Sequence, residues 1–285
     1  MSRKILRILL AQVSPYIADK EKNLAKMEKI LSSADDVDVA VFPELYLTGY
    51  LARDTLHRLA IDIESSKEIE KLRRLSSETG SAIVVGAPVR SKLGFLYNAA
   101  IAVDGDKLLL YFKRHLPTFS LFEEARWFKA HQGPLTPWRL RGVVMGPAIC
   151  YDIFFPEIFR AYALMGTVIL LVISASPDSS LPLFQVMVNA RALENTSYVI
   201  WVNTVGTYEG LGFAGGSRIA DPLGNTVLQL KEREEDVAVV DVELDQVMKA
   251  RKVRPVIRDV NPADAAALLR AYREFENWQE GAFLT

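Results

Sequence analysis

The 285-residue sequence has only one cysteine, Cys150. No disulfide can form within the chain, and such sparse cysteine usage fits a reducing compartment. Histidine is scarce as well. His57, His115 and His131 lie scattered and make no ligand spacing with Cys150, so neither a structural nor a catalytic zinc is expected. An excess of charge of either sign is also missing. A net charge of −1 gives no cationic surface for phosphates, which argues against nucleic acid and anionic membranes as partners. Long apolar runs are absent too. The uncharged stretch from Ala161 to Pro177 falls short of the ~20 residues a spanning helix needs, and Gly166 divides it into a helical end and a β-branched run. The amino terminus interrupts its apolar residues with Arg7 and reads as a first strand, not as a signal peptide. These absences together predict a soluble protein of the cytoplasm.

What the sequence does have is apolar bulk, with hydrophobic residues making up 50%, enough for a large core. Runs rich in Val, Ile and Leu, bounded by Gly, Pro, Asp or Asn, predict strands at 5–13, 37–42, 82–89, 98–103, 107–112, 143–150, 168–174 and 198–205. Several are apolar on both faces, as in strands covered on each side. Longer segments with helical spacing predict helices at 20–32, 64–78, 155–165 and 183–195; in the first, Leu24, Met27 and Leu31 recur between charges. Asp104-Gly105 and Asp221-Pro-Leu-Gly224 are hairpin signals. No linker-like, repeated or low-complexity segment interrupts the pattern. The expectation is one α/β domain over residues 1–252 and a carboxy-terminal extension over 253–285. Phe275, Trp278 and Phe283 make that extension apolar. It packs back on its own domain or on a neighbouring subunit, the second being favoured because exposed aromatic patches are costly to leave wet. The basic piece Arg251–Arg258 reads as a solvated or subunit-contact stretch in preference to a site for an anionic partner.

Three strand ends carry chemistry-bearing side chains. Cys150 closes an apolar strand just before a helix begins, a junction that exposes a side chain at the rim of a sheet. Buried cysteines are commonly no more than small core hydrophobes, so this position alone does not decide. Glu44 follows the run Val37–Pro43 and sits among apolar neighbours; such burial raises a carboxyl pKa toward the range useful to a general base. Lys113 ends a third strand, where a lysine is ordinarily a solvated charge. Taken together the three offer a nucleophile, its base and a cation for developing negative charge. Lys113 also favours the thiolate of Cys150.

These residues sit in segments that resemble the nitrilase (carbon–nitrogen hydrolase) superfamily. The likeness runs from the first strand to about Leu244 and is carried by Phe42-Pro-Glu44, Leu47-Thr-Gly-Tyr50, Lys113-Arg-His-Leu-Pro117, Phe122-Glu-Glu-Ala-Arg-Trp-Phe128 and Ile149-Cys-Tyr-Asp-Ile-Phe-Phe-Pro-Glu157. Downstream it continues in Arg191-Ala-Leu-Glu-Asn195, Val202-Asn203 and Gly216–Gly224. The resemblance implies a four-layer α-β-β-α sandwich that forms homo-oligomers through its helical layers. It also implies a Glu–Lys–Cys triad, falling on Glu44, Lys113 and Cys150. A second glutamate falls on Glu124, with Glu123 as the alternative, and positions Lys113 and the substrate. Tyr50, Tyr151 and Ser174 are the candidate substrate contacts.

The expected reaction is hydrolysis of a small linear amide through a thioester on Cys150, which needs no metal or organic cofactor. Cys150-Tyr-Asp resembles amidase-like branches, whereas nitrile-cleaving members carry Trp-Glu after the cysteine. Leu47–Tyr50, Phe122–Phe128 and Ile173-Ser-Ala-Ser176 also resemble the glutaminase domain of glutamine-dependent NAD synthetase. A glutaminase that passes ammonia to a separate synthetase is therefore an alternative. A non-catalytic binding or scaffold protein on the same fold is the alternative of another class.

Overall fold

A computed structural model describes residues 4–120 and 122–281. Its strands are β1 (Ile5–Gln12), β2 (Val39–Val41), β3 (Ala82–Arg90), β4 (Leu96–Asp104), β5 (Lys107–Phe112), β6 (Trp138–Leu140), β7 (Val143–Ile149), β8 (Ile169–Ser174), β9 (Tyr198–Asn203), β10 (Val205–Tyr208), β11 (Leu211–Ala214), β12 (Arg218–Ala220), β13 (Thr226–Gln229) and β14 (Asp236–Glu243). The helices are α1 (Lys20–Ser32), α2 (Leu56–Leu59), α3 (Lys67–Thr79), α4 (Glu124–Trp127), α5 (Pro156–Leu164), α6 (Leu181–Asn195), α7 (Asp245–Val253) and α8 (Pro262–Gly281).

Two six-stranded sheets form, ordered β14-β1-β2-β3-β4-β5 and β13-β12-β9-β8-β7-β6, and β10-β11 makes a separate hairpin. Each sheet has a parallel centre, β1-β2-β3 or β7-β8-β9, with antiparallel strands toward its edges. The alternation of strand side chains sorts the layers. Leu6, Ile8 and Leu10 of β1 join one core with Met145, Ile173 and Trp201 of the second sheet. Leu9 and Ala11 point the other way, into a second core closed by Leu24, Met27 and Leu31 of α1 and Ile69, Leu72 and Leu75 of α3. On the far side, Phe159 and Tyr162 of α5 and Val188 and Ala192 of α6 cover the second sheet. The result is the expected four-layer α-β-β-α sandwich.

The predicted α1 agrees at both ends, and Asp19 caps it by accepting from the Lys22 N–H. The second predicted helix starts later than expected, because Ser66 is the residue that caps α3, accepting from Glu68 and Ile69. The predicted strand 198–205 breaks at Thr204, where the chain leaves the sheet for the β10-β11 hairpin. Both hairpin signals form turns, Asp104–Lys107 between β4 and β5 and Asp221–Asn225 between β12 and β13. The limit placed at 252/253 falls within the last turn of α7, whose Val247 and Ala250 are buried. Beyond it, α8 is tethered by Tyr272 Oη donating to Glu157 of α5 at 2.7 Å, yet Leu268, Leu269, Tyr272, Phe275 and Trp278 remain exposed. Phe283 lies outside the described residues. Among those described, no helix is long and apolar enough to cross a membrane.

Candidate active site

The carboxyl ends of β2, β5, β7 and β8 converge, and the expected triad comes from three of them. After β2 the chain passes Pro43 into Glu44, and Leu45 adopts φ +50°. This turn lies directly on β3 at Gly86, whose N–H donates to Pro43 O at 3.0 Å and whose carbonyl accepts from Leu47 at 3.1 Å. A Cβ at Gly86 would stand 2.6 Å from the Glu44 Cα; glycine is what lets the two backbones meet. Lys113 follows β5, fixed by its N–H to Asn98 O at 2.8 Å and by His131 N–H to its carbonyl at 3.0 Å. Cys150 follows β7 in a left-handed conformation, φ +47°. A non-glycine residue there carries roughly 1–3 kcal/mol of strain and persists only when its surroundings over-determine it.

All four expected chemical groups, Glu44, Lys113, Glu124 and Cys150, are buried. Lys113 Nζ donates to Glu44 Oε1 at 2.8 Å and to Glu124 Oε1 at 2.6 Å. Glu44 is saturated further by Asn98 Nδ2 on Oε1 and the Ala175 N–H on Oε2, each at 2.7 Å. The apolar setting expected for it is thus replaced by three hydrogen-bond donors. Glu124 Oε1 also accepts from Tyr50 Oη at 2.7 Å, while its Oε2 is buried without a partner. Glu124 rather than Glu123 enters the site; Glu123 is exposed.

One ammonium cannot neutralise two carboxylates. Burial, helped by the Glu44 charge and opposed by Lys113, raises Glu124 to about 7. Burial works against the Lys113 ammonium, but the two carboxylates outweigh it and hold the amine protonated well above its ordinary range. Burial and then Glu44 push the Cys150 thiol up, while Lys113 pulls it down. The expectation that Lys113 favours the thiolate therefore holds for that pair alone. The net effect keeps the proton on sulfur.

The substrate-contact candidates divide. Tyr50 reaches the site through Glu124 and lines a cleft of about 500 Å³ with Leu45, Arg53, Glu124, Trp127 and Phe128. Tyr151 is partly exposed and packs against Phe119, Phe154 and Phe155. Ser174 is a correction. It is fully buried, and its hydroxyl accepts the Trp201 indole N–H at 2.8 Å, so it faces the core; its neighbour Ala175 meets the site instead. Sequence reasoning missed Asn98, the Ala175 N–H, Asp152 and Ser176, whose buried hydroxyl has no partner. Asn98 and Ser176 stand at or just beyond predicted strands, the signal that singled out the triad, but amides and hydroxyls are too common there to stand out. Among the described residues, no group of three or more His, Cys, Asp and Glu side chains is arranged to hold a metal ion.

The sandwich and the position of the site define a protein of the nitrilase type. Residues 7–252 match the model of the carbon–nitrogen hydrolase family, and the chain belongs to that family. It is 32% identical to an (R)-stereoselective amidase of Pseudomonas sp over 89% of this chain and 91% of that protein. It is 30% identical to a nitrilase of Pyrococcus abyssi over 90% and 95%. It is also 32% identical to the glutamine-dependent NAD(+) synthetase of Thermotoga maritima, but there it spans 44% of the relative's length against 88% of its own. Among solved structures, an amidase from Nesterenkonia sp. superposes with a TM-score of 0.77 at 26% identity, covering 94% of this chain and 96% of that one. A superfamily protein from Xanthomonas campestris gives 0.83 at 24% identity, covering 91% and 98%, a likeness of fold. Membership of this family and the amidase and nitrilase relatives support carbon–nitrogen hydrolysis.

Proposed function

We propose that the protein hydrolyses a small linear amide through an acyl thioester on Cys150. The observation that carries this reading is the buried Lys113 ammonium shared by Glu44 and Glu124 beside the thiol. Glu44 takes the Cys150 proton as sulfur attacks the amide carbon. Lys113, together with the Tyr151 N–H at the start of a helical turn, stabilises the oxyanion; one such donor is worth about 2.7–4 kcal/mol. Glu44 then protonates the departing nitrogen, and the acyl group stays on sulfur. The same carboxylate deprotonates a water that releases the acid and restores the thiol. The unpartnered Glu124 Oε2 suits a substrate amide N–H, and the reaction releases ammonia or an amine.

The unpartnered Ser176 hydroxyl, one residue beyond the Ala175–Glu44 bond, favours a second reading in which a substrate with further polar groups, such as glutamine, is held there. As a glutaminase, the protein would be weakly active alone and stimulated by a separate synthetase. We place either reaction in the reducing cytoplasm, in a homo-oligomer whose neighbouring copy covers the exposed apolar side of α8.

The test is ammonia release across a panel of amides, carbamoyl compounds, nitriles and glutamine, with Cys150→Ala and Glu44→Gln alongside. Turnover of an amide that vanishes in Cys150→Ala and falls ~10²–10⁴-fold in a folded Glu44→Gln supports the assignment. Near-normal turnover in Glu44→Gln removes its role as base, and silence of the whole panel favours a scaffold.

A further inference from the structure

Asp152 is fully buried two residues beyond Cys150, and the mechanism above makes no use of it. Its carboxylate gathers donors from both sides of the site. Oδ2 accepts from Tyr111 Oη at 2.8 Å and from the Ile149 N–H at 3.2 Å. Oδ1 accepts from the backbone N–H groups of Arg114 and His115 at 3.3 and 3.0 Å, and lies 2.9 Å from His115 Nδ1, which donates in the Nδ1–H tautomer. His115 is itself held by stacking on Phe155, with ring centroids 3.4 Å apart. The partners therefore bracket Lys113 at positions 111, 114 and 115, while Ile149 is the residue immediately before Cys150. One rigid side chain ties the segment carrying the ammonium to the segment carrying the nucleophile. It does so where the backbone of Cys150 is strained and needs outside support.

We propose that Asp152 is a positioning residue that sets the Cys150 thiol against Lys113, acting through backbone donors and not through substrate. This rests on the functional reading above. A carboxylate is required because every bond is accepted, whereas an amide has one accepting atom and would turn an N–H₂ toward donors on one side. Length is required as well, since an extra methylene pushes the two segments apart.

The lone cysteine makes the test clean, because iodoacetamide reports Cys150 alone. Asp152→Asn, Asp152→Glu and the milder Tyr111→Phe, which keeps the ring and removes one bond, are compared with the parent for alkylation rate against pH, kcat, KM and Tm. Misplacement by about 1 Å predicts a kcat loss on the order of 10²-fold for both Asp152 variants, with KM little changed and the alkylation profile displaced along pH. Tyr111→Phe should show the same pattern more weakly, and it serves if the Asp152 variants do not fold. Folded variants that lower only Tm, with kcat and alkylation unaltered, overturn the proposal while the hydrolase reading stands. If the parent Cys150 is itself inert to iodoacetamide and no amide is turned over, both fall together.

Discussion

Replacing Gly86 by alanine is expected to injure catalysis without touching any chemical group. A methyl there would lie 2.2 Å from Leu45 N and 2.6 Å from the Glu44 Cα and carbonyl carbon. Ordinary van der Waals contact begins near 3.4 Å, so the turn carrying Glu44 must retreat by about 1 Å or more. The neighbours are backbone and cannot swing aside as a side chain could. The backbone at Gly86 is not in the left-handed region, so the penalty is steric alone. Overpacking of this kind costs about 1–3 kcal/mol, and displacing the carboxylate proposed as the base by ~1 Å costs on the order of 10²-fold in rate. The retreat would also stretch the Glu44 bonds to Asn98, Lys113 and Ala175, each now 2.7–2.8 Å. The assay is kcat for the best amide of the panel, together with a urea unfolding curve. Gly105→Ala is the control. It sits in the β4-β5 turn at φ +60° with open space around it, so it should lose about 1–2 kcal/mol of stability with kcat unchanged. A Gly86→Ala protein with kcat within about twofold of the parent would refute the reasoning, because the turn would then tolerate the movement.

Because Glu124 is raised to about 7 by burial and by Glu44, the folded protein binds its proton more tightly than the unfolded chain. That contribution is complete below the ordinary carboxyl range near 4.5 and is lost as pH rises through about 7. Glu124→Gln should flatten the decline in urea stability across this window, and an unchanged pH profile would contradict the shift. Lys113→Met leaves the Glu44 and Glu124 carboxylates buried without their common cation. Unfolding should show it destabilised by about 3–5 kcal/mol, more than Glu124→Gln, and an equal effect of the two would argue against a shared ammonium. If a second copy covers α8 as proposed, light scattering should show Trp278→Glu shifting the protein toward a smaller assembly, since Trp278 is 67% exposed on α8; an unmoved mass would remove α8 as the contact.

The reach of the sequence is set by how local each signal is. α1 could be bounded at both ends because an apolar spacing and an N-cap lie within one short segment. β14 is rich in valine, Asp236-Val-Ala-Val-Val-Asp-Val-Glu243, but what makes it an edge strand is pairing with β1 from Ile5↔Glu243 to Gln12↔Asp236, nearly the whole chain away. Short elements such as β6 and α4 contain too few residues to show a period at all. The site divides along the same line. Glu44, Lys113 and Cys150 were legible because each ends an apolar strand with a side chain suited to chemistry, and their segments resemble a known family. Ser174 was misplaced by the smallest possible error. Ser174, the last residue of β8, turns its hydroxyl onto Trp201, and the chain just beyond the strand offers Glu44 the N–H of Ala175. Glu44 then has as its donors the Asn98 amide within β4, the Lys113 ammonium after β5 and the Ala175 N–H after β8, and no local pattern could have announced that convergence. Residue types at strand ends can nominate the reacting groups; the protonation each one holds depends on which other ends the fold brings beside it.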